Sequence, residues 1–245
     1  MTTEPKAWES VLSRIEERLV DGRLRPGDHL PPERALAAEF GVARSSVREA
    51  VRVLEAMGLI RTQTGSGPTS GAIIVARPLG GMQALMRLQV AASGFPVADV
   101  VSTRLLLESA VAGELAERSP GSAPDLADAR QLLDAMDDDA LTAPEFLALD
   151  AQFHLALAEA AGNTVVATTM AGLRSSIEGY VLAGAERIPD WEAMAARLRA
   201  EHRGVIDAID AGDPAAARIR IHDHISGYYH DATPSRTLSP STDAR

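Results

Sequence analysis

Asp150 and His154 stand four residues apart. The apolar residues around them, Phe153, Leu157 and Ala161, recur at helical spacing, so a helix would turn both polar side chains toward one interior. An Asp and a His one turn apart can hold a single metal ion between them. Two further histidines lie on apolar stripes: His202 with Val205, Ile206 and Ile209, and His224 with Ala217, Ile221, Ile225 and Tyr228. One carboxylate and three imidazoles form a hard-to-borderline donor set that suits zinc, with nickel or manganese as alternatives. Taken singly, each histidine reads better as a hydrogen-bonded core residue. Three of them on three adjacent helices, together with an Asp, point to a metal held in the core of a helical bundle. His29, His222 and His230 fall off these stripes and read as loop or surface residues.

A second polar pair interrupts an apolar stripe. Along Val97, Val101, Val111 and Leu115, the inward positions one turn apart are Arg104 and Glu108. Burying them costs free energy unless they pair or meet a ligand. Glu108 reads equally as half of a structural salt bridge. Arg104 reads as an effector-binding residue, because a guanidinium can clamp a carboxylate with two parallel hydrogen bonds.

Near the N-terminus the chemistry is that of a polyanion reader. In Arg44-Ser45-Ser46-Val47-Arg48-Glu49-Ala50, Arg44 and Arg48 share one helix face, and Arg52 extends it. Val47, Val51 and Leu54 take the opposite face. Arginine forks match guanine edges or phosphates, and Ser45 and Ser46 at a helix start can meet phosphate beside free backbone N–H groups.

These residues need elements to position them. Apolar spacing predicts a helix over 7–21, closed by Asp21-Gly22, then a Pro/Gly-rich loop over 24–32. Helices over 33–40 and 44–57 follow, each stopped by a glycine, Gly41 and Gly58. Strands over 59–64 and 72–75, with a turn-rich tip from Gly65 to Gly71, make a β-hairpin. Helix, glycine turn, helix and hairpin together read as a winged helix-turn-helix spanning 1–76. Arg77-Pro78-Leu79-Gly80-Gly81 reads as a linker over 77–81. The region 82–232 reads as all-helical, with helices near 82–93, 97–118, 124–138, 143–161, 164–186, 190–211 and 214–230. The Pro, Ser, Thr and Asp of 233–245 read as a disordered tail. The fold class is therefore mainly α: three helices and a hairpin, then a helical bundle.

Composition agrees. Hydrophobic residues are 46% of the 245 and aromatics only 4%, which favours close-packed helices over a β-sandwich. With no cysteine, disulfides and thiolate metal sites are excluded. No stretch reads as a signal peptide or a membrane span, so a soluble cytoplasmic protein is expected. The net charge of −10 is unevenly spread: residues 1–77 hold 11 Lys/Arg and 10 Asp/Glu, leaving 13 and 24 for the remainder. The acidity belongs to the C-terminal part, so it is no objection to DNA binding by the N-terminal part.

The N-terminal residues carry a family resemblance. Pro26-Gly27-Asp28, Leu30-Pro31, Glu33-Arg34, Leu36-Ala37, Phe40-Gly41-Val42, Arg44, Val47-Arg48-Glu49-Ala50, Leu54 and Gly58-Leu59-Ile60 resemble the DNA-binding domain of the GntR family. The resemblance implies DNA contacts from Arg34, Arg44 and Arg48, and a hairpin tip that reaches the minor groove through Gly65 or Gly67. Two departures are Ala43, where the family usually has Ser, and a wing longer than a simple Gly-x-Gly-Thr. Further on, Arg104-x-x-x-Glu108, Asp150-x-x-x-His154 with Ala161-Gly162-Asn163, Glu201-His202, Gly212-Asp213 and His224 resemble the FCD ligand-binding domain of the FadR-like GntR subgroup. That resemblance implies a metal held by Asp150, His154, His202 and His224, and a small organic or sugar acid held by Arg104 and the metal. It also implies a homodimer reading palindromic operators, more often as a repressor.

The expected function is thus a metabolite-responsive, DNA-binding regulator, not an enzyme. The alternative is a metal-dependent hydrolase using the Asp/His₃ site, but no general base or nucleophile motif accompanies it. Whether the metal is structural or contacts the effector stays open at this point.

Overall fold

A computed structural model of the chain describes residues 6–63, 71–75, 79–118 and 124–232. It falls into two compact units, Met1–Leu85 and Met86–Arg245. The hairpin tip with Gly65 and Gly67, Arg77 and Pro78, and the tail over 233–245 lie outside the described residues.

The first unit contains α1 (Ala7–Val20), α2 (Glu33–Phe40), α3 (Arg44–Ala56), β1 (Ile60–Gln63) and β2 (Gly71–Ile74). Helix α1 is opened by Glu9, whose carboxylate accepts from the Lys6 N–H at 2.9 Å. Helix α2 stops at Gly41, whose φ of 67° is the left-handed conformation that ends a helix without a Cβ clash. Strands β1 and β2 pair antiparallel, with Ile60 opposite Ile74 and Gln63 opposite Gly71. The Pro/Gly segment expected as a plain loop does more than connect. The Leu30 N–H donates to the Ala72 carbonyl and the Ile74 N–H to the Asp28 carbonyl, so this segment satisfies the free edge of β2. Val11, Ile15, Leu36, Phe40, Val47, Leu54, Ile60 and Ile74 form the core between helices and hairpin.

Helix α4 (Leu79–Ala91) begins inside the stretch read as a linker and spans the division between the units. Of its two glycines, Gly81 is required for a reason that periodicity does not reveal. A Cβ on Gly81 would lie 2.1 Å from the carbonyl oxygen of Met57, the C-cap of α3, so the backbones approach too closely for any side chain.

The second unit packs α5 (Val97–Glu117), α6 (Ala127–Ala135), α7 (Ala143–Ala160), α8 (Thr164–Ala185), α9 (Trp191–Asp210) and α10 (Pro214–Ala232) around a main core, with a smaller cluster of Val100, Leu173 and Ile177 between α5 and α8. The caps are legible in the residues. Thr142 and Glu145 close a capping box on α7, Asn163 accepts from two N–H groups of α8, and Asp190 accepts from the Ala193 N–H of α9. Gly162 and Gly212, at φ of 80° and 64°, turn the chain between consecutive helices. Helix α10 lies along α5 and against α9, while α7 packs on α8 and α6. Leu115, Met136, Phe146, Phe153, Leu198 and Ile221 are the large side chains sealed within. No described helix is long and apolar enough to cross a membrane.

Replacing Gly81 with Ala is expected to destabilise the contact with α3 by about 1–3 kcal/mol, the usual range for overpacking. Hydrogen exchange should then quicken at the last-turn amides of α3 and at Leu59; exchange rates equal to wild type would contradict the close approach.

Candidate metal centre and nucleic-acid interface

Helices α7, α9 and α10 bring Asp150, His154, His202 and His224 to one point, all four buried. The Nε2 atom of His224 is 3.2 Å from that of His154 and 3.1 Å from that of His202. Asp150 Oδ1 lies 3.1 Å from His202 Nε2, 3.7 Å from His154 Nε2 and 3.8 Å from His224 Nε2. Two ligands each about 2.0–2.1 Å from one ion at the tetrahedral angle stand about 3.3 Å apart. The four atoms therefore have the mutual spacing of a coordination shell.

Their protonation fits as well. His224 Nδ1 is 2.8 Å from Glu201 Oε2, and His154 Nδ1 is in close contact with Glu108 Oε2. A carboxylate behind Nδ1 holds the proton there and leaves Nε2 as a bare lone pair. Burial pushes His202 down to about 3, with His224 adding to the effect. Burial likewise lowers His224, against the pull of Glu201. Burial alone would raise Asp150; Arg174 beside it, together with His154 and His202, outweighs that and holds the carboxyl well below its usual range. The set brings an anionic oxygen and three imidazole nitrogens to one point, the donor types that a divalent ion takes. These residues fit a divalent ion of the zinc, nickel or manganese class.

A small, partly open cavity adjoins the four residues, with Asp150, His154 and His224 in its wall. Arg104, Arg174, Tyr228 and Tyr229 line its polar side, and Leu147, Val181, Leu198 and Ile225 its apolar side. Arg104 donates through Nε to Glu108 Oε1 at 2.7 Å and through Nη1 to the Tyr229 hydroxyl at 2.8 Å. Glu108 thus accepts from Arg104 on one side and contacts His154 on the other. Burial works against its charge, but Arg104 prevails and keeps it ionised. Glu108, open from sequence between a structural salt bridge and a functional role, pairs with Arg104 and stands behind His154, while Arg104, expected to bind an effector, lines the cavity. Arg174 was not picked out from the sequence. Its Nη2 donates to Asp150 Oδ2, while its buried Nη1 has no hydrogen-bond partner among the described residues. The signal was its place on α8 between Met170 and Ile177, both buried, but Glu178 one turn on makes it look like a solvated ion pair.

In the first unit, Arg34, Arg44, Ser45 and Arg48 are exposed and Ser46 is half-buried. The N-cap of α3 is Ala43, and no side chain caps this helix start. Val47, Ala50 and Leu54 anchor the helix to the core, with Val51 only partly covered. Arg48 is not a free side chain. Its Nε lies 3.2 and 3.3 Å from the two oxygens of Glu33, and its Nη2 lies 3.0 Å from Oε2. Arg44 Nη2 stands 3.9 Å from the same carboxylate. The hydrogen bond from Arg48, reinforced by its charge and that of Arg44, lowers the Glu33 carboxyl. Gly65 and Gly67, expected at the minor groove, lie outside the described residues.

Comparison with known proteins matches both halves. A family model described as "Bacterial regulatory proteins, gntR family" matches residues 8–69, and one described as "FCD domain" matches residues 99–227. The HTH-type transcriptional regulator LutR of Bacillus subtilis is 30% identical over 226 residues, covering 86% of this chain and 97% of its own length. The HTH-type transcriptional repressor NanR of Citrobacter rodentium is 29% identical, covering 90% and 83%. The Glc operon transcriptional activator of Escherichia coli is 24% identical, covering 89% and 85%. Among solved structures, Streptococcus agalactiae GntR superposes with a TM-score of 0.64 at 25% identity, over 91% of this chain and 99% of that one.

The carboxylate behind a ligand histidine sets both its tautomer and its basicity. Glu201→Gln is therefore expected to weaken zinc binding roughly 10–100-fold, the usual effect of losing such a partner. His202→Ala should lose still more, by removing a ligand outright. Titration calorimetry of the metal-stripped chain measures both; equal zinc affinity in all three proteins would refute the assigned ligand set.

Proposed function

For a chain that belongs to the gntR family of bacterial regulatory proteins, carries an FCD domain and is a DNA-binding transcriptional regulator rather than an enzyme, we propose a repressor whose operator affinity is set by a small carboxylate bound beside a metal ion. The observation that carries this reading is the charge balance of the buried site. Arg104 is offset by Glu108 and Arg174 by Asp150. Among the described residues, the further carboxylate beside a divalent ion on the four ligands would be Glu201, half-exposed behind His224 and itself paired with Arg197 at 3.3 Å. The cavity beside it has an excess of positive charge and one unsatisfied guanidinium nitrogen, which is the complement of a carboxylate.

Asp150, His154, His202 and His224 would hold the ion, which when bound supplies a Lewis-acidic position for a carboxylate or hydroxyl oxygen of the effector. Arg174 Nη1 and the cavity edge of Arg104 would bind the same anion, and the apolar wall would take its carbon skeleton. In the first unit Arg34, Arg44, Ser45, Ser46 and Arg48 would meet DNA, with Gly65 or Gly67 at the wing. A homodimer would place two such heads on an inverted repeat. Effector binding would shift the population able to span both half-sites. NanR, named a repressor, supports that sign, although the more distant Glc relative is named an activator.

Thermal-shift screening of the full chain against small hydroxy and sugar acids, with zinc and with chelator, tests the effector reading. At least one acid should raise Tm, and chelation should remove the shift. Arg174→Ala should weaken that acid roughly 10–100-fold, as loss of a charge-assisted hydrogen bond does. A metal that raises Tm while acid binding survives its removal would make the ion purely structural. Arg44→Ala with Arg48→Ala should abolish retention of the selected operator; undiminished binding would remove the assignment of α3 as the reading helix.

A further inference from the structure

The interaction between Glu33 and Arg48 has a geometry that matters for sequence reading. Arginine carries five N–H donors on two usable edges: one side-on, through Nε and Nη2, and one end-on, through Nη1 and Nη2. Glu33 takes the side-on edge, with Nε between both carboxylate oxygens and Nη2 at 3.0 Å. The end-on fork is left, and that is the pair of donors that matches O6 and N7 of guanine. Glu33 sits in the first turn of α2 and Arg48 one turn into α3, so the pairing crosses the two helices of the motif. Neither end of the pair is a mobile tip, because Leu36 and Ala37 bury α2 and Val47 and Ala50 bury α3.

We infer that Glu33 is a specificity-determining, positioning residue: it holds the Arg48 guanidinium so that only its end-on fork faces the DNA. This rests on the reading of α3 as the recognition helix. Two effects follow. The fork is preorganised, so less side-chain freedom is lost when it meets a base edge. The carboxylate also cancels one positive charge, with Arg44 3.9 Å away. That lowers attraction to phosphate of any sequence and puts a repulsive element against loose backbone contacts. Glu33 therefore sacrifices non-specific affinity for discrimination.

The test uses the full chain, with Glu33→Ala and the shape-keeping Glu33→Gln. Two probes are compared: the duplex that the wild-type chain selects from a random-sequence pool, and a scrambled duplex of equal length and composition. Both variants should bind the scrambled duplex more tightly, with log K against log salt steeper by about one phosphate contact. The ratio of selected to scrambled affinity should fall about tenfold, within the range of one lost bidentate base contact. In an Arg48→Ala background, adding Glu33→Ala should leave that ratio unchanged, because Glu33 acts through Arg48. Variants that keep both the wild-type ratio and the wild-type salt slope, while Arg48→Ala lowers binding, overturn the inference and leave the reading helix intact. If Arg48→Ala itself leaves binding unchanged, the reading of α3 fails and the inference falls with it.

Discussion

Three imidazole nitrogens and one carboxylate oxygen, all of buried residues, lie within 4.8 Å of one another in the second unit. Carboxylates stand behind two of the three imidazoles, Glu108 behind His154 and Glu201 behind His224. Much of the unit can be understood as what is needed to hold these atoms there. Phe153 packs its ring 4.5 Å from that of His202 and excludes water on that side. Glu108 supports His154, Arg104 supports Glu108, and Tyr229 accepts from Arg104, a chain that links α7 through α5 to α10. A cluster of buried charges is a poor source of stability in itself. Such a cluster in so apolar a bundle is what the proposed ion and acid would require.

The first unit meets a different constraint. Its reading helix must expose arginines to a polyanion, yet unrestrained arginines bind any polyanion. The uncapped start of α3 at Ala43, the apolar underside of Val47, Ala50 and Leu54, and the carboxylate of Glu33 on the neighbouring helix share that work. The packing sets where the helix lies, and the ion pair sets which edge of Arg48 is offered.

The two halves also differ in how they use glycine. In the second unit, Gly162 and Gly212 mark helix ends at positive φ, a role that can be read from their place between apolar runs. Gly81 looks like the same punctuation and led to a linker being expected there. It lies within a helix instead, and it is glycine because the carbonyl of Met57 leaves no room for a Cβ. A glycine required by a local turn is visible in its neighbours in sequence; one required by a distant backbone is not.

The periodicity of apolar residues determined nearly every helix to within a few residues, since a helix that buries one face must repeat at 3.6. The same stripes marked Asp150, His154, His202, His224, Arg104 and Glu108 as inward, because a polar residue at an apolar position is conspicuous. What periodicity could not decide was which inward groups meet. That depends on how α5, α7, α8, α9 and α10 are packed, and packing is set by contacts far apart in the chain. Tertiary structure alone made Glu108 the partner of His154, brought Arg174 to Asp150, and tied Arg48 to Glu33. Each is a pairing of long side chains whose helix positions look solvated or ambiguous by themselves. Their partners lie on other elements, and no local rule of spacing records the distance between them.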